Sequence, residues 1–463
     1  MYKKNAWESY TKTDLKKLEA FAKDYRAFLD NGKTERECVT TAVAMAEKAG
    51  FRDLDQLIRE GAKLKAGDKV YRNWMNKSFL AFVLGEEELD AGMNILGAHI
   101  DSPRIDVKQN PVYESDGICY LDTHYYGGIK KYQWVALPLA LHGVVIRKDG
   151  TKLTVAIGEK AGDPVFYISD LLIHLAQEQM GKKATEVVPG ENLDLIIGHV
   201  PDKKAEKDKV KTAILDYLKK EYKMEEEDFI SAELEIVPAG PTREVGFDRA
   251  MLAGYGHDDR VCAFPSIQAV LDVTGTPKYT VCAAITDKEE IGSVGATGWG
   301  AHYFENTVAE LYALTKEYSE LGLKRTLANS RMLSSDVSAG YDPNFASVFE
   351  RKNAAFLGEG VCFNKYTGSR GKSGSNDANA EFMGAVRKIM DDAKVSWQTC
   401  ELGRVDAGGG GTIAYLCAKY GMNVIDCGVP VLSMHAPWEL ISKADLYEAY
   451  KCYGAFLENA EPV

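Results

Sequence analysis

Apolar positions near the start of the chain fall at helical spacing. Leu15, Leu18, Phe21, Tyr25, Phe28 and Leu29 recur at steps of three and four, which puts them on one face of a helix. Thr13 reads as its N-cap and Asn31-Gly32 as its stop. A second helix is expected to begin at Thr34, where Glu37 completes a capping box. The run "MNILGA", ending in "HIDSPR", reads as a short buried strand. From about residue 107 the texture turns β-rich: "HGVVIRKDGTKLTVAIGE" reads as a hairpin turning at Asp149-Gly150. "SDLLIHLAQEQ" reads as one helix with Leu171, Leu172 and Leu175 on its apolar face, and "PDKKAEKDKVK" as a solvated loop. After about 245, the strands "YTVCAAIT", "SRMLSSDV" and "MNVIDCG", the last followed by "VPVLSMH", alternate with helices. Those helices are expected over "RVCAFPSIQAVLDV", over 377–394 and over "SKADLYEAYKCYGAFLENA".

Strands alternating with helices predict an α/β fold, a mostly parallel mixed sheet sandwiched by helices. The β-rich block reads as an insertion, giving the boundaries 1–106, 107–244 and 245–463, with the outer two blocks forming one domain. In such a sheet ligands bind at the carboxyl ends of the strands.

Charge narrows the partners. Lys plus Arg number 56 against 68 Asp plus Glu, a net charge of −12, which argues against nucleic acid or an anionic membrane as the partner. The amino-terminal "MYKKNAWESYTK" has no apolar core of a secretory signal, and "VALPLALHGVVI", interrupted by His142, is too short to span a bilayer. Nine scattered cysteines without a CxxC pair suit a reducing cytoplasm. The expected location is cytoplasmic.

The stretch "TVCAAITDKEEIGSVG" sets four consecutive charges, Asp287 to Glu290, at the end of an apolar run, which is costly unless something binds them. Neighbours in an extended chain point in opposite directions, so one of Glu289 and Glu290 can hold a metal while the other faces substrate as a general base. His99 and Asp101, at i and i+2, point to one side, a ligand with an orienting carboxylate. Asp258 in "GYGHDDRVC", Asp336 in "SSDVSAG" and His435 in "LSMHAPWE" also stand where apolar runs end or begin. Each has an ordinary reading as a cap, a turn residue, a dipole partner or a structural histidine. Together His99, Asp258, Glu290, Asp336 and His435 supply enough ligands for two divalent ions sharing a carboxylate. Zinc suits this set best, and manganese or cobalt also fits its carboxylates.

The ordered motifs carry a resemblance. "GAHIDSPR", "DKEEIGS", "SSDVSAG" and "MHAPWE", with "PNF" at 343–345 and "GTI" at 411–413, resemble the metallopeptidase family of aspartyl aminopeptidase and vacuolar aminopeptidase I across nearly the whole chain. The resemblance implies one ion on His99, Asp258 and Asp336 and another on Asp258, Glu290 and His435, with Glu289 as general base and Asp101 orienting His99. It implies hydrolysis of peptides with a free N-terminus, and an inserted dimerisation domain within a homo-oligomer, possibly a dodecamer. A dipeptidase or deacylase with the same site is the near alternative, and a non-catalytic metal-binding assembly protein the distant one. Glu289 argues against the latter, since a structural metal site needs no spare base.

The chain departs from the family pattern in three places. Asp259 follows Asp258 where the family reads Asp-Asn; "VSAG" replaces its M-x-H-A; and Asp170 stands where an inserted-domain histidine is expected, leaving His174. Asp170 or His174 is the candidate to reach a neighbouring subunit's site. Lys365, Arg370 or Lys372 could face an acidic substrate side chain, or simply form a basic loop. "DAGGGGTI", without a phosphate-loop lysine, reads as a close-packed wall of the site.

Overall fold

The Thr280–Thr286 strand is buried along its whole length, and its interior, Val281 to Ile285, is apolar because both faces of the sheet are covered. Val281, Ala283 and Ile285 belong to one hydrophobic core and Cys282 and Ala284 to another, so no polar alternation marks the strand in the sequence. The computed structural model describes residues 4–368 and 373–463, which divide into two compact units. The first comprises Met1–Asp101, Thr242–Met434 and Glu439–Val463. Its nine-stranded sheet is mixed. Thr280–Thr286, Met93–His99, Arg331–Ser335 and Asn423–Gly428 are parallel neighbours in that order, flanked by the antiparallel Ser78–Val83 and Val361–Asn364.

Helices cover both faces. Lys12–Asn31, Glu35–Lys48, His257–Leu271, Ala380–Asp392 and Lys443–Asn459 supply one core. Leu54–Glu60, Tyr303–Thr315, Glu320–Ala328 and Ala414–Ala418 supply the other. The capping box expected at Thr34 is present. The first helix, however, is capped by Thr11, which exchanges hydrogen bonds with Asp14, and Thr13 lies inside the helix. The reciprocal bond to an N3 carboxylate decides between the two threonines.

The second unit, Ser102–Pro241 with His435–Trp438, contains a six-stranded antiparallel sheet. Leu139–Ile146 and Lys152–Ile157 form the expected hairpin. "SDLLIHLAQEQ" is not one helix: it holds a 3-10 turn at Ile173–Leu175 and a single α-turn at Gln177–Met180. Leu171, Leu172 and Leu175 are 48, 57 and 71% exposed, so no packed face stabilises a longer helix. Asp170 and His174 are therefore not neighbours on a helix. The charged stretch after Pro201 ends by opening an unforeseen helix, Lys209–Tyr222, anchored by buried Val210. Among the described residues no helix is long and apolar enough to cross a membrane.

Parallel strands bring their carboxyl ends to one edge, and the close fit there is visible at Gly428. A Cβ on this glycine would lie 1.7 Å from the carbonyl oxygen of Asp336, while the Asp336 amide donates to the Cys427 carbonyl at 2.9 Å. Replacing Gly428 by Ala must therefore displace the backbone of Asp336. Urea denaturation is expected to show a loss of about 1–3 kcal/mol, as for other overpacked sites, and metal titration a weakened divalent-ion affinity.

Candidate metal centre

His99 ends its strand 2% exposed. Its Nδ1 lies 3.0 Å from the carbonyl oxygen of Asp101 and 3.3 Å from that residue's Oδ1. Both partners are acceptors, so Nδ1 carries a proton and Nε2 is the nitrogen turned to the centre. Nε2 is 3.2 Å from Asp258 Oδ1, 3.9 Å from Asp336 Oδ1 and 4.0 Å from Glu289 Oε2. Burial opposes a charge on the imidazole. Hydrogen bonds to Asp101 and Asp258 and the charges of Asp259 and Asp101 outweigh it and hold the group well above its ordinary pKa. The surroundings thus favour a cation at Nε2.

The glutamate pair is not extended. Lys288 takes a left-handed conformation (φ 67°) and Glu289–Ile291 form a 3-10 turn, so both carboxylates reach the same cluster instead of diverging. The turn is held by Asp101, whose Oδ1 accepts the Glu289 N–H at 3.1 Å and Oδ2 the Glu290 N–H at 3.2 Å. Behind it, Asp287 is buried and accepts from Thr297 Oγ1 at 2.6 Å.

Asp258 is the second residue of the His257–Leu271 segment, which follows Gly256, whose φ of 80° favours glycine. The Asp258–Asp259 peptide is cis, and the Asp258 N–H donates to Glu439 Oε2 at 2.9 Å. Asp259 is fully buried, and its Oδ2 accepts the backbone N–H of His99 at 3.2 Å. Burial, reinforced by Asp258, pushes its carboxyl well above the usual range despite His99. His257, its pKa lowered by burial to about 3, has Nδ1 2.7 Å from the Tyr25 hydroxyl. The sequence reading marked Asp259 only as an extra negative charge beside the metals and gave no role to Glu439, His257 or Tyr25. Glu439 closes the "MHAPWE" motif and could have been suspected; nothing local marks Tyr25, 232 positions from its partner.

Asp336 follows the Arg331–Ser335 strand, its carboxyl raised by burial and then by Glu289, against the opposing pull of His99. His435 lies in the stretch that belongs to the second unit, where its Nδ1 is 2.9 Å from the Gly128 carbonyl oxygen. Asp170, also of the second unit, is exposed and accepts from Gln179 Nε2 at 3.0 Å; His174 is exposed on its short turn. Lys365 donates to Asp377 Oδ1 at 2.9 Å and to the Tyr366 hydroxyl at 3.1 Å. Arg370 and Lys372 lie outside the described residues.

The donor set fits zinc. Ligand atoms of His99, Asp258 and Asp336 lie within 4.8 Å of one another, as do those of His99, Glu289 and Glu290. Donors placed about 2.0–2.2 Å from a tetrahedral ion are roughly 3–4 Å apart, close to the separations around His99 Nε2. Mixed imidazole and carboxylate donors, buried or half-buried side by side, are a charge distribution that a divalent cation neutralises.

The family described as "Aminopeptidase I zinc metalloprotease (M18)" matches residues 28–457. A relative from Clostridium acetobutylicum, named probable M18 family aminopeptidase 1, is 55% identical over 457 residues, covering 98% of each chain. A crystal structure of an M18 aminopeptidase from Thermotoga maritima is 42% identical, with a TM-score of 0.94 over 99% of this chain and 100% of that one. The S. cerevisiae mApe1 chain, described as a dodecamer, shares the fold at 21% identity, with a TM-score of 0.73 over 94% of this chain and 95% of its own. Fold and donor set define a zinc metallopeptidase. The chain belongs to the M18 aminopeptidase I family and is a metalloaminopeptidase, removing amino acids from the N-terminus of peptides.

The Asp101 fork carries a direct test. An Asp101→Asn substitution offers only one acceptor oxygen to the two glutamate amides and to His99. Zinc affinity is expected to fall roughly 10–100-fold, the usual loss for an orienting partner of a metal histidine, as read by competition with a chromogenic chelator.

Proposed function

We propose that the centre hydrolyses the first peptide bond with two zinc ions and with Glu289 as general base. In this reading His99, Asp258 and Asp336 hold one ion and Asp258, Glu290 and His435 the other, with Asp258 shared. The observation that carries it is the convergence of Asp258 with Asp336, and of Glu289 with Glu290, on His99, in the family's order along the chain. His435, with Nδ1 engaged by the Gly128 carbonyl, would present Nε2. When bound, the ions polarise the scissile carbonyl and lower the pKa of the attacking water.

The protein's own groups supply the rest. Glu289 receives the proton of the attacking water and delivers it to the leaving amine. Its side chain is 15% exposed while its backbone is fixed by Asp101, so the base is accessible yet anchored. The surplus of carboxylates suits the ammonium group of the substrate's N-terminus. Lys365, already bonded to Asp377 and Tyr366, closes its own loop in this reading and is not assigned to an acidic side chain of the substrate.

The second unit serves in this proposal as a pairing domain within a cytoplasmic homo-oligomer. The dodecamer described for mApe1 is the form it suggests. Asp170 or His174, both exposed, would reach a neighbouring copy's site.

Glu289→Gln tests the mechanism. Metal analysis is expected to find two zinc ions per chain in both proteins, and hydrolysis of aminoacyl p-nitroanilides to fall about 10²–10⁴-fold, the usual contribution of a positioned base. Undiminished hydrolysis would remove Glu289 from the mechanism, and one zinc per chain would remove the second ion.

A further inference from the structure

His99 Nε2 has more carboxylates around it than one ion needs. Asp336 Oδ1 stands 3.9 Å from it and Glu289 Oε2 stands 4.0 Å from it. The residue read above as the base is thus as near to the imidazole nitrogen as one of the residues read as ligands. Glu289 also forms, with His99 and Glu290, a triad whose ligand atoms lie within 4.8 Å of one another. That triad offers one imidazole and two carboxylates, the same donors as His99, Asp258 and Asp336. Donor chemistry gives a divalent ion of the zinc class no preference between the two.

The two triads exclude each other. His99 Nδ1 faces the carbonyl and carboxylate oxygens of Asp101, so Nε2 brings the only lone pair, and one lone pair binds one ion. An ion on the glutamates takes the histidine from Asp258 and Asp336, and the reverse holds as well. The Asp101 fork keeps the glutamate triad available, since it fixes the amides of both Glu289 and Glu290 at 3.1 and 3.2 Å. Burial separates the triads. Two members of the glutamate triad are half-buried, against one of the aspartate triad, so an ion entering between the glutamates gives up less of its hydration. A cation there also spoils Glu289 as a base, because a neighbouring positive charge favours the ionised carboxylate over the protonated one. Glu290 decides which triad lasts: in the two-ion reading it belongs to the second ion, whose arrival strips the glutamate triad and leaves His99, Asp258 and Asp336 whole.

We propose that His99, Glu289 and Glu290 form a third metal position, which takes the first divalent cation to enter the chain and masks the base until a second cation draws Glu290 away. The first cation then passes to His99, Asp258 and Asp336, and Glu289 is released for proton transfer. The proposal rests on the two-ion reading above for the final positions and adds to it the order of loading. A chain short of metal is held inactive by its own base.

The test uses the full-length chain, stripped by a chelator and reloaded with zinc, as wild type, Glu289→Gln, Glu289→Ala and Asp336→Asn. Competition with a chromogenic chelator reads the first and second equivalents separately. Cobalt(II), which accepts the same donors, reports the ligand set of the singly loaded chain through its visible absorption. Glu289→Gln is expected to weaken the first equivalent about tenfold or more, at least the loss seen for an orienting partner of a metal ligand. The fully loaded chain does not use Glu289 as a ligand, so the second equivalent should tighten by the same factor and the product of the two constants should hold. Asp336→Asn should do the opposite, leaving the first equivalent unchanged and weakening the second. The cobalt spectrum of the singly loaded chain should change in Glu289→Gln and stay the same in Asp336→Asn. Glu289→Ala should behave as Glu289→Gln, and whichever of the two folds carries the test. An unchanged first equivalent in the Glu289 variants would overturn the proposal. So would a parallel weakening of both equivalents, which marks a lost charge and not a lost ligand, or a weakened first equivalent in Asp336→Asn. Failure of the two-ion reading shows separately, as one equivalent bound at saturation, and failure of the base reading as undiminished hydrolysis by Glu289→Gln. Either leaves the affinity of the first equivalent readable.

Discussion

The buried carboxylate of Asp101 joins two strand ends that the chain reaches 188 residues apart. One side of it faces the His99 imidazole, and its two oxygens receive the amides of Glu289 and Glu290. With the carbonyl oxygen of the same residue it fixes which histidine nitrogen faces the centre, and it bends the glutamate pair so that both carboxylates serve it. A longer acid or a neutral side chain could not meet all these partners from the same position.

Around this fork the centre is assembled from groups that repel one another. Asp258, Asp259, Glu289, Glu290 and Asp336 crowd one histidine, and the raised pKa values of Asp259 and Asp336 record the cost of burying them and of bringing them together. The sheet can hold such a cluster because the strands beneath it are apolar on both faces and packed between helices. Stability is supplied by the layers, which leaves the strand ends available for an arrangement that only a divalent cation makes favourable. Asp259 fits this logic: burial disfavours its charge, and its Oδ2 accepts the His99 amide.

The alternation of strands and helices was legible because each apolar run in the first unit is long enough to be buried on both faces. Most residues of the centre could likewise be picked out, since a charge following such a run has few ordinary explanations. The bend at Glu289–Glu290 was not legible: it depends on Lys288 adopting a left-handed backbone and on a carboxylate far away in the chain. Nor were the supports of the site, because Tyr25 meets His257, and Glu439 meets the Asp258 amide, only after the sheet has formed. In the second unit, local periodicity misled at 169–179, where apolar residues at helical spacing find nothing to pack against within the unit. It failed again at 209–222, where lysines mask a helix held by Val210.

The order of strands in the nine-stranded sheet has a consequence for how the enzyme comes into being. Met93–His99 sits between Thr280–Thr286 and Arg331–Ser335, and Asn423–Gly428 closes the next position. A ribosome must therefore deliver residues 1–336 of 463 before His99 acquires its lasting neighbours, and such distant pairings form slowly. A partly made chain carries the glutamates and histidines but no assembled centre. The enzyme is thereby inert toward peptides, including its own emerging sequence, at least until Asp336 has been made.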